Sequence, residues 1–210
     1  MRRPKPSKAV TAFVKITGCL PALLYLRPKV IVSKKGSAKR RLPKPCLLVS
    51  NHRSLMDFVL YLTVFPFRNI RFLMAEVLFT KSKALTWLLF KLGGIYVNRT
   101  DFDFSFAAES VEELDRGGSV GIFPQSRLPV GDKEWPFTPS VVHIALNSEA
   151  PIVPVYTDGN YGFGRRAHVV IGEEIRLCEL CRDKNPDKDE VERLTRYLES
   201  KVFELKEEAK

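Results

Sequence analysis

Short apolar runs separated by polar or glycine-rich breaks recur along most of this chain. Residues 46–49, Cys-Leu-Leu-Val, form a run too short for a helix, and Ser50, Asn51, His52 and Arg53 close it. Such a run predicts a buried strand. Comparable runs at 70–74, 95–99, 120–123, 152–156 and 167–171 predict further strands. Longer apolar segments between them predict helices: 55–65 up to Pro66, 80–92 up to Gly93-Gly94, and 104–115 up to Gly117-Gly118. Thr138 caps another, with Pro139 in its first position, extending to about residue 147. A last helix opens after Asn185-Pro186, and its apolar positions Val191, Leu194, Leu198, Val202 and Leu205 keep a spacing of three to four. Strands alternating with helices predict an α/β layered fold with a mixed, partly parallel central sheet flanked by helices.

The leading end reads differently. Residues 9–26 are mostly apolar but interrupted by Lys15, Gly18 and Pro21. A clean bilayer span wants about 20 uninterrupted apolar residues, and no small-residue cleavage pattern closes the segment as in a signal peptide. The expectation is an interfacial helix or a bent helical pair, apolar side in lipid, with Arg2, Arg3, Lys5, Lys8 and Lys15 toward the headgroups. An ordinary packed helix is the alternative. Residues 27–45 are expected to be a basic hairpin or loop turning at Lys34-Lys35-Gly36-Ser37. The chain thus divides into a basic, membrane-associating segment, 1–45, and an α/β domain, 46–210.

Charge sharpens that division. The formal net charge is +10, and it is concentrated at the front, since no Asp or Glu precedes Asp57. A basic leading end suits anionic lipid or nucleic acid. Its cations are not interleaved with aromatics and no nucleic-acid module is recognisable, so the expected partner is an anionic membrane surface and not nucleic acid. A mean hydropathy of −0.11 excludes a polytopic membrane protein. Cys19, Cys46, Cys178 and Cys181 are too scattered for a disulfide framework, and Cys178-x-x-Cys181 lacks the second pair of a zinc site. No metal or cofactor is expected.

The candidate chemistry lies where strands end. His52 follows the first of these strands, and Asp57 stands five residues on, at the start of the helix; Ser54 and Asp57 have the spacing of a capping box. Within one helix a separation of five rotates two side chains by roughly 140°, so they cannot meet. They meet if His52 sits on the turn and Asp57 in the first helical turn. A carboxylate on one imidazole nitrogen fixes the tautomer and leaves the other nitrogen as a base. Asp57 serving only the helix dipole is the plainer reading. Arg99 and Arg127 also directly follow predicted strands, and chemistry in layered α/β folds gathers beyond the carboxyl ends of strands. Two guanidinium forks there suit a phosphate ester. Gly117-Gly118-Ser119-Val120-Gly121 matches the nucleophile elbow G-x-S-x-G, but the predicted order is helix, turn, strand rather than strand, turn, helix. It reads as turn chemistry. His143 and His168 read as packed or surface residues.

Four blocks in order resemble the PlsC-like glycerolipid acyltransferase family, the 1-acylglycerol-3-phosphate acyltransferases. Asn51-His52-Arg53-Ser54-Leu55-Met56-Asp57 is similar to its NHxSxxD block, and Gly94-Ile95-Tyr96-Val97-Asn98-Arg99 to its second. Phe123-Pro124-Gln125-Ser126-Arg127 resembles Phe-Pro-Glu-Gly-Thr-Arg, and Ala150-Pro151-Ile152-Val153-Pro154-Val155 the fourth block. The resemblance implies transfer of a fatty acyl group from acyl-CoA or acyl-ACP to a lysophospholipid hydroxyl, at the cytoplasmic face of the cell membrane. It implies His52 and Asp57 as catalytic residues and Arg99 and Arg127 as the grip on the acceptor phosphate. Asn51, Ser54, Gln125 and Ser126 join them at the substrate. Another lyso-lipid acceptor, or a weakened lipid-binding homologue, is the alternative. Three departures stand out: Gln125 replaces the usual Glu in a block one residue shorter, Asn98 replaces the common Asp, and the lysine usual after the second strand is missing from Leu73-Met74-Ala75-Glu76. Arg71, Lys81 and Lys83 are the cations nearest that gap.

Overall fold

The computed structural model describes residues 3–98, 104–131, 133–183 and 185–209. In chain order the elements are α1 (Lys8–Leu26), β1 (Lys29–Val32), β2 (Cys46–Ser50), α2 (Met56–Val64), β3 (Ile70–Ala75), α3 (Val77–Thr80), α4 (Lys83–Lys91) and β4 (Ile95–Val97). Then follow α5 (Ser105–Asp115), β5 (Ser119–Ile122), α6 (Ser140–Ser148), β6 (Ile152–Thr157), β7 (His168–Ile171), α7 (Leu177–Leu180) and α8 (Lys188–Glu204). One seven-stranded sheet runs β1-β7-β6-β2-β5-β3-β4. The five strands from β6 to β4 are parallel; β7 is antiparallel to β6 and carries β1 parallel to itself.

The central strand shows why the sheet is two-sided. All five residues of β2 are buried. Cys46 and Leu48 enter the core on one face with Leu60, Tyr61 and Phe72, while Leu47 and Val49 enter the other with Val141, Ile144, Leu194 and Leu198. A strand covered on both faces has no polar side, so it reads as an unbroken apolar run. The Cys46 thiol, pushed up to about 12 by burial, stays protonated there as a small apolar side chain. On α8 the expected stripe of Val191, Leu194, Leu198 and Val202 is the stripe that is buried. Gly121 lies inside β5, where a Cβ would stand 2.3 Å from the ring of Phe72. Close ring packing accounts for the last glycine of G-x-S-x-G, and Ser119 is the buried first residue of the strand.

Several local expectations change. Residues 27–45 are not simply a hairpin or loop: Lys29–Val32 is an edge strand in register with His168–Ile171. Its Val-Ile-Val run was masked by the charge around it. The helix expected over 80–92 starts at Lys83, because the Ser82 hydroxyl accepts from Leu85 N–H and begins α4 there; the short α3 (Val77–Thr80) precedes it. Thr138 does not cap α6; its hydroxyl donates to the Pro124 carbonyl at 2.9 Å, tying the helix start to the loop after β5. Arg71 is committed to Glu109, Glu113 and the Gly93 carbonyl, so it does not fill the lysine gap.

The leading segment is one helix of 19 residues, continuous through Pro21 and long and apolar enough to cross a bilayer by length and composition. It is not a free rod. Thr11, Ala22 and Leu26 are buried, and the helix packs against α2 and α4. Phe13, Ile16, Leu20 and Leu24 face outward. Lys15 departs from expectation. Its ammonium donates to the carbonyls of Pro66, at 3.0 Å, and Arg68, in the loop after α2, and burial lowers its pKa. The carbonyls of this loop draw the cation inward. Arg3 likewise lies over the Tyr96 ring, 4.6 Å from its centroid.

Candidate active site

The neighbours of β2 decide what surrounds its carboxyl end. Val49 is in register with Ile122 of β5, and Ser50 with Val155 of β6. The turn carrying His52 therefore emerges between the loop after β5, with Gln125 to Arg127, and the loop after β6, with Tyr161. Asn51 extends the β2–β6 pairing by one rung through its side chain: its amide nitrogen donates to Thr157 O and its amide oxygen accepts from Thr157 N, each at 2.8 Å. A fully buried amide so engaged fixes where the next residue begins.

That residue is His52. Its Nδ1 lies 2.8 Å from Asp57 Oδ2. The same oxygen accepts from the backbone N–H of Arg53 at 2.7 Å and of Ser54 at 2.9 Å. The capping box is thus half formed: Asp57 reaches back to Ser54 N–H, while the Ser54 hydroxyl accepts from Met56 N–H at 3.2 Å. His52 sits on the turn and Asp57 in the first turn of α2, the one arrangement in which a separation of five permits contact. The ring stacks on Phe123 with centroids 4.4 Å apart, and Phe123 in turn stacks on Phe72. The imidazole side chain is 16% exposed and the Asp57 carboxylate not at all. Among the described residues nothing hydrogen-bonds Nε2, so the nitrogen away from Asp57 is available to an incoming hydroxyl.

Two partners were not legible in the sequence. The Tyr161 hydroxyl donates to Asp57 Oδ1, filling the carboxylate's second oxygen. Burial and the Asp57 charge raise the Tyr161 pKa, which keeps the phenol protonated and a donor. Tyr161 follows a turn at Gly159, where φ is +69° and a Cβ would meet Arg53 Cβ at 2.5 Å. Glycine there lets the loop after β6 approach the His52 turn. The second is Glu134, which pairs with Arg53 and accepts from Gln125 Nε2 at 2.7 Å. Gln125 Oε1 in turn accepts from the His52 backbone N–H at 2.6 Å.

The remaining expected residues divide. His52, Asp57, Ser54 and Gln125 form one hydrogen-bonded group, which Asn51 joins through Thr157 and Tyr161. Ser126, at φ 57°, turns the chain outward, and Arg127 is exposed with its guanidinium over Trp135, 5.4 Å from the ring centroid. Arg99 lies outside the described residues. His143 is exposed on α6, and His168 pairs with Asp158 at 2.7 Å, bracing the loop that carries Tyr161.

Residues 31–158 match the acyltransferase family model. The chain is 28% identical over 116 residues to human 1-acyl-sn-glycerol-3-phosphate acyltransferase beta, covering 53% of this chain and 41% of that one. It is 26% identical over 155 residues to the 1-acyl-sn-glycerol-3-phosphate acyltransferase of Borreliella burgdorferi, covering 71% of this chain and 60% of the relative. The chain therefore spans less than two thirds of these relatives' length. In structure it is similar to the 1-acyl-sn-glycerophosphate acyltransferase PlsC of Thermotoga maritima, with a TM-score of 0.63 at 23% identity, over 95% of this chain and 79% of that one; this likeness shows the shared fold. The HxxxxD turn, the loops that close on it and a family match running over more than half the residues lead to one conclusion: the chain belongs to the acyltransferase family.

Proposed function

We propose that this chain transfers a fatty acyl group from an acyl-CoA or acyl-ACP thioester to the free hydroxyl of lysophosphatidic acid, giving phosphatidic acid. One observation carries the reading: a partly exposed imidazole is held through Nδ1 by a buried carboxylate, and among the described residues nothing hydrogen-bonds Nε2. His52 Nε2 takes the proton of the acceptor hydroxyl as its oxygen bonds to the thioester carbonyl carbon. The tetrahedral intermediate then collapses, the C–S bond breaks, and the proton passes to the departing thiolate. Asp57 stabilises the imidazolium between these steps. No covalent acyl-enzyme is required. Arg127 and Arg99 hold the acceptor phosphate and so bring its hydroxyl to His52.

The acceptor separates this reading from its neighbour. Gln125 in place of Glu, and the Arg127 guanidinium lying over Trp135, favour as a second reading a lyso-lipid with a different headgroup. Purified protein given labelled acyl donors should prefer lysophosphatidic acid over lyso-lipids lacking a terminal phosphate by roughly ten- to a hundredfold, the worth of one or two charge-assisted hydrogen bonds. Equal rates would defeat the phosphate grip, and no transfer to any lyso-lipid would defeat the enzymatic reading.

The same proposal seats the protein as a monotopic or peripheral protein on the cytoplasmic membrane face, by residues 1–45. Phe13, Ile16, Leu20 and Leu24 present an apolar ridge while the opposite side of α1 is occupied by protein. Beside the loop that holds Lys15, the fully exposed Phe67 and the cations Lys39, Arg40, Arg41 and Lys44 line a basic cleft suited to anionic headgroups. Ile16→Glu and Leu20→Glu should each weaken binding to anionic vesicles about tenfold or more, given about 1.5–3 kcal/mol for burying such a side chain. Their melting temperatures should hold. Undiminished vesicle binding would remove the ridge from the membrane contact.

A further inference from the structure

Gln125 and Glu134 form a pair that the acyltransfer mechanism above does not use. Gln125 is buried, and the two ends of its amide face chemically opposite partners. Its oxygen accepts from the His52 backbone N–H at 2.6 Å, and its nitrogen donates to Glu134 Oε2 at 2.7 Å. The other Glu134 oxygen pairs with the Arg53 guanidinium. Arg53 N–H and His52 Nδ1 both reach Asp57 Oδ2, at 2.7 and 2.8 Å. The contacts close a ring: His52 backbone, Gln125, Glu134, Arg53, Asp57 and back to the His52 imidazole. An amide in such a ring has one workable orientation, because only its nitrogen can donate to a carboxylate and only its oxygen can receive an N–H.

We propose that Glu134 is a positioning residue for His52, acting through Gln125 on one side and Arg53 on the other. The inference rests on the acyltransferase reading for its consequence, not for its geometry. It also explains the departure at position 125. A glutamate there would set a second carboxylate against Glu134 at hydrogen-bond distance, and two such groups cannot both remain ionised. In this chain the neutral amide occupies position 125, and the carboxylate stands one hydrogen bond further out, at 134. The two positions are therefore exchangeable as a pair and not singly. With Glu at 125 and Gln at 134, the carboxylate still receives His52 N–H, the new amide donates to it, and the amide oxygen still receives Arg53.

A double-substitution cycle tests this, using the full chain and two readouts. Glu134→Ala should lower kcat for acyl transfer roughly tenfold, the equivalent of about one hydrogen bond of net worth, with KM for either substrate little moved. Gln125→Glu should fall at least as far, and Gln125→Glu combined with Glu134→Gln should recover most of the loss. Hydrogen exchange of the His52 backbone amide supplies the second readout, independent of turnover. Its protection should drop in Glu134→Ala and return in the exchanged pair. An exchanged pair no better than Gln125→Glu, or Glu134→Ala with unchanged kcat and unchanged His52 protection, would overturn the proposal. If the unaltered protein transfers no acyl group, the acyltransferase reading fails, and the exchange data still decide whether Glu134 holds the His52 turn.

Discussion

His52→Ala is expected to reduce acyl transfer by about 10²- to 10⁴-fold, the usual contribution of a positioned general base, in a protein that stays folded. In the proposed mechanism the imidazole carries the chemistry, but the structure around it does not depend on it. Without the ring, Asp57 retains the backbone N–H groups of Arg53 and Ser54 and the Tyr161 hydroxyl. The buried carboxylate thus remains satisfied and avoids the large penalty of an unpaired buried charge. The expected signature is a collapse of kcat with a melting temperature lowered only by the lost stack on Phe123. Turnover of labelled acyl donor beside a thermal melt reads both quantities. Unchanged acyl transfer would remove His52 from the mechanism.

Asp57→Asn should be nearly as damaging to activity, on the order of 10²- to 10⁴-fold, as when a carboxylate that orients a catalytic imidazole becomes an amide. The loss here separates charge from shape. Three of the four donors converge on Oδ2, and one, the Tyr161 hydroxyl, meets Oδ1. An asparagine can turn its oxygen to the three and its amide to Tyr161, whose hydroxyl then accepts and redirects its proton to Thr157, 3.3 Å away. The turn survives and the negative charge opposite the imidazolium does not. Asp57→Ala differs, because it orphans the backbone donors of Arg53 and Ser54 in the interior. It should cost stability by about 3–5 kcal/mol as well as activity. Denaturant melts of the two variants distinguish these outcomes, and an Asp57→Asn protein with full turnover would show that the carboxylate serves the helix alone.

What could be read from the chain was local, and what could not was paired across long separations. The strand of residues 46–49, the helix after it and the stripe on α8 follow from periodicity, since each element is buried on the face its pattern marks. The His52–Asp57 contact needed only one further step, that the pair straddles a strand–helix junction. Tyr161 contacts Asp57 across 104 residues of sequence, and Gln125 contacts His52 across 73. No spacing rule links such positions. The one available signal was the glycine-rich run after the 152–156 strand, which ends at the same sheet edge as the His52 turn. Arg127 shows the limit of edge reasoning: the strand places the residue at the rim, but Trp135 decides where its guanidinium rests. Lys29–Val32 was missed because its partner is the strand at 168–171, far along the chain.

The leading helix is fastened along its whole length. Ser7 N–H donates to the Lys91 carbonyl, Lys15 grips the loop after α2, and Leu26 O accepts from Ala167 N–H just before the chain enters the sheet as β1. A rod pinned at three stations cannot swivel as a tether would. With its outer ridge in a bilayer, as proposed, rigid geometry would set the height and tilt of the His52 rim above the lipid plane. The helix would then work as a depth gauge, selecting which part of an approaching lipid comes level with the imidazole.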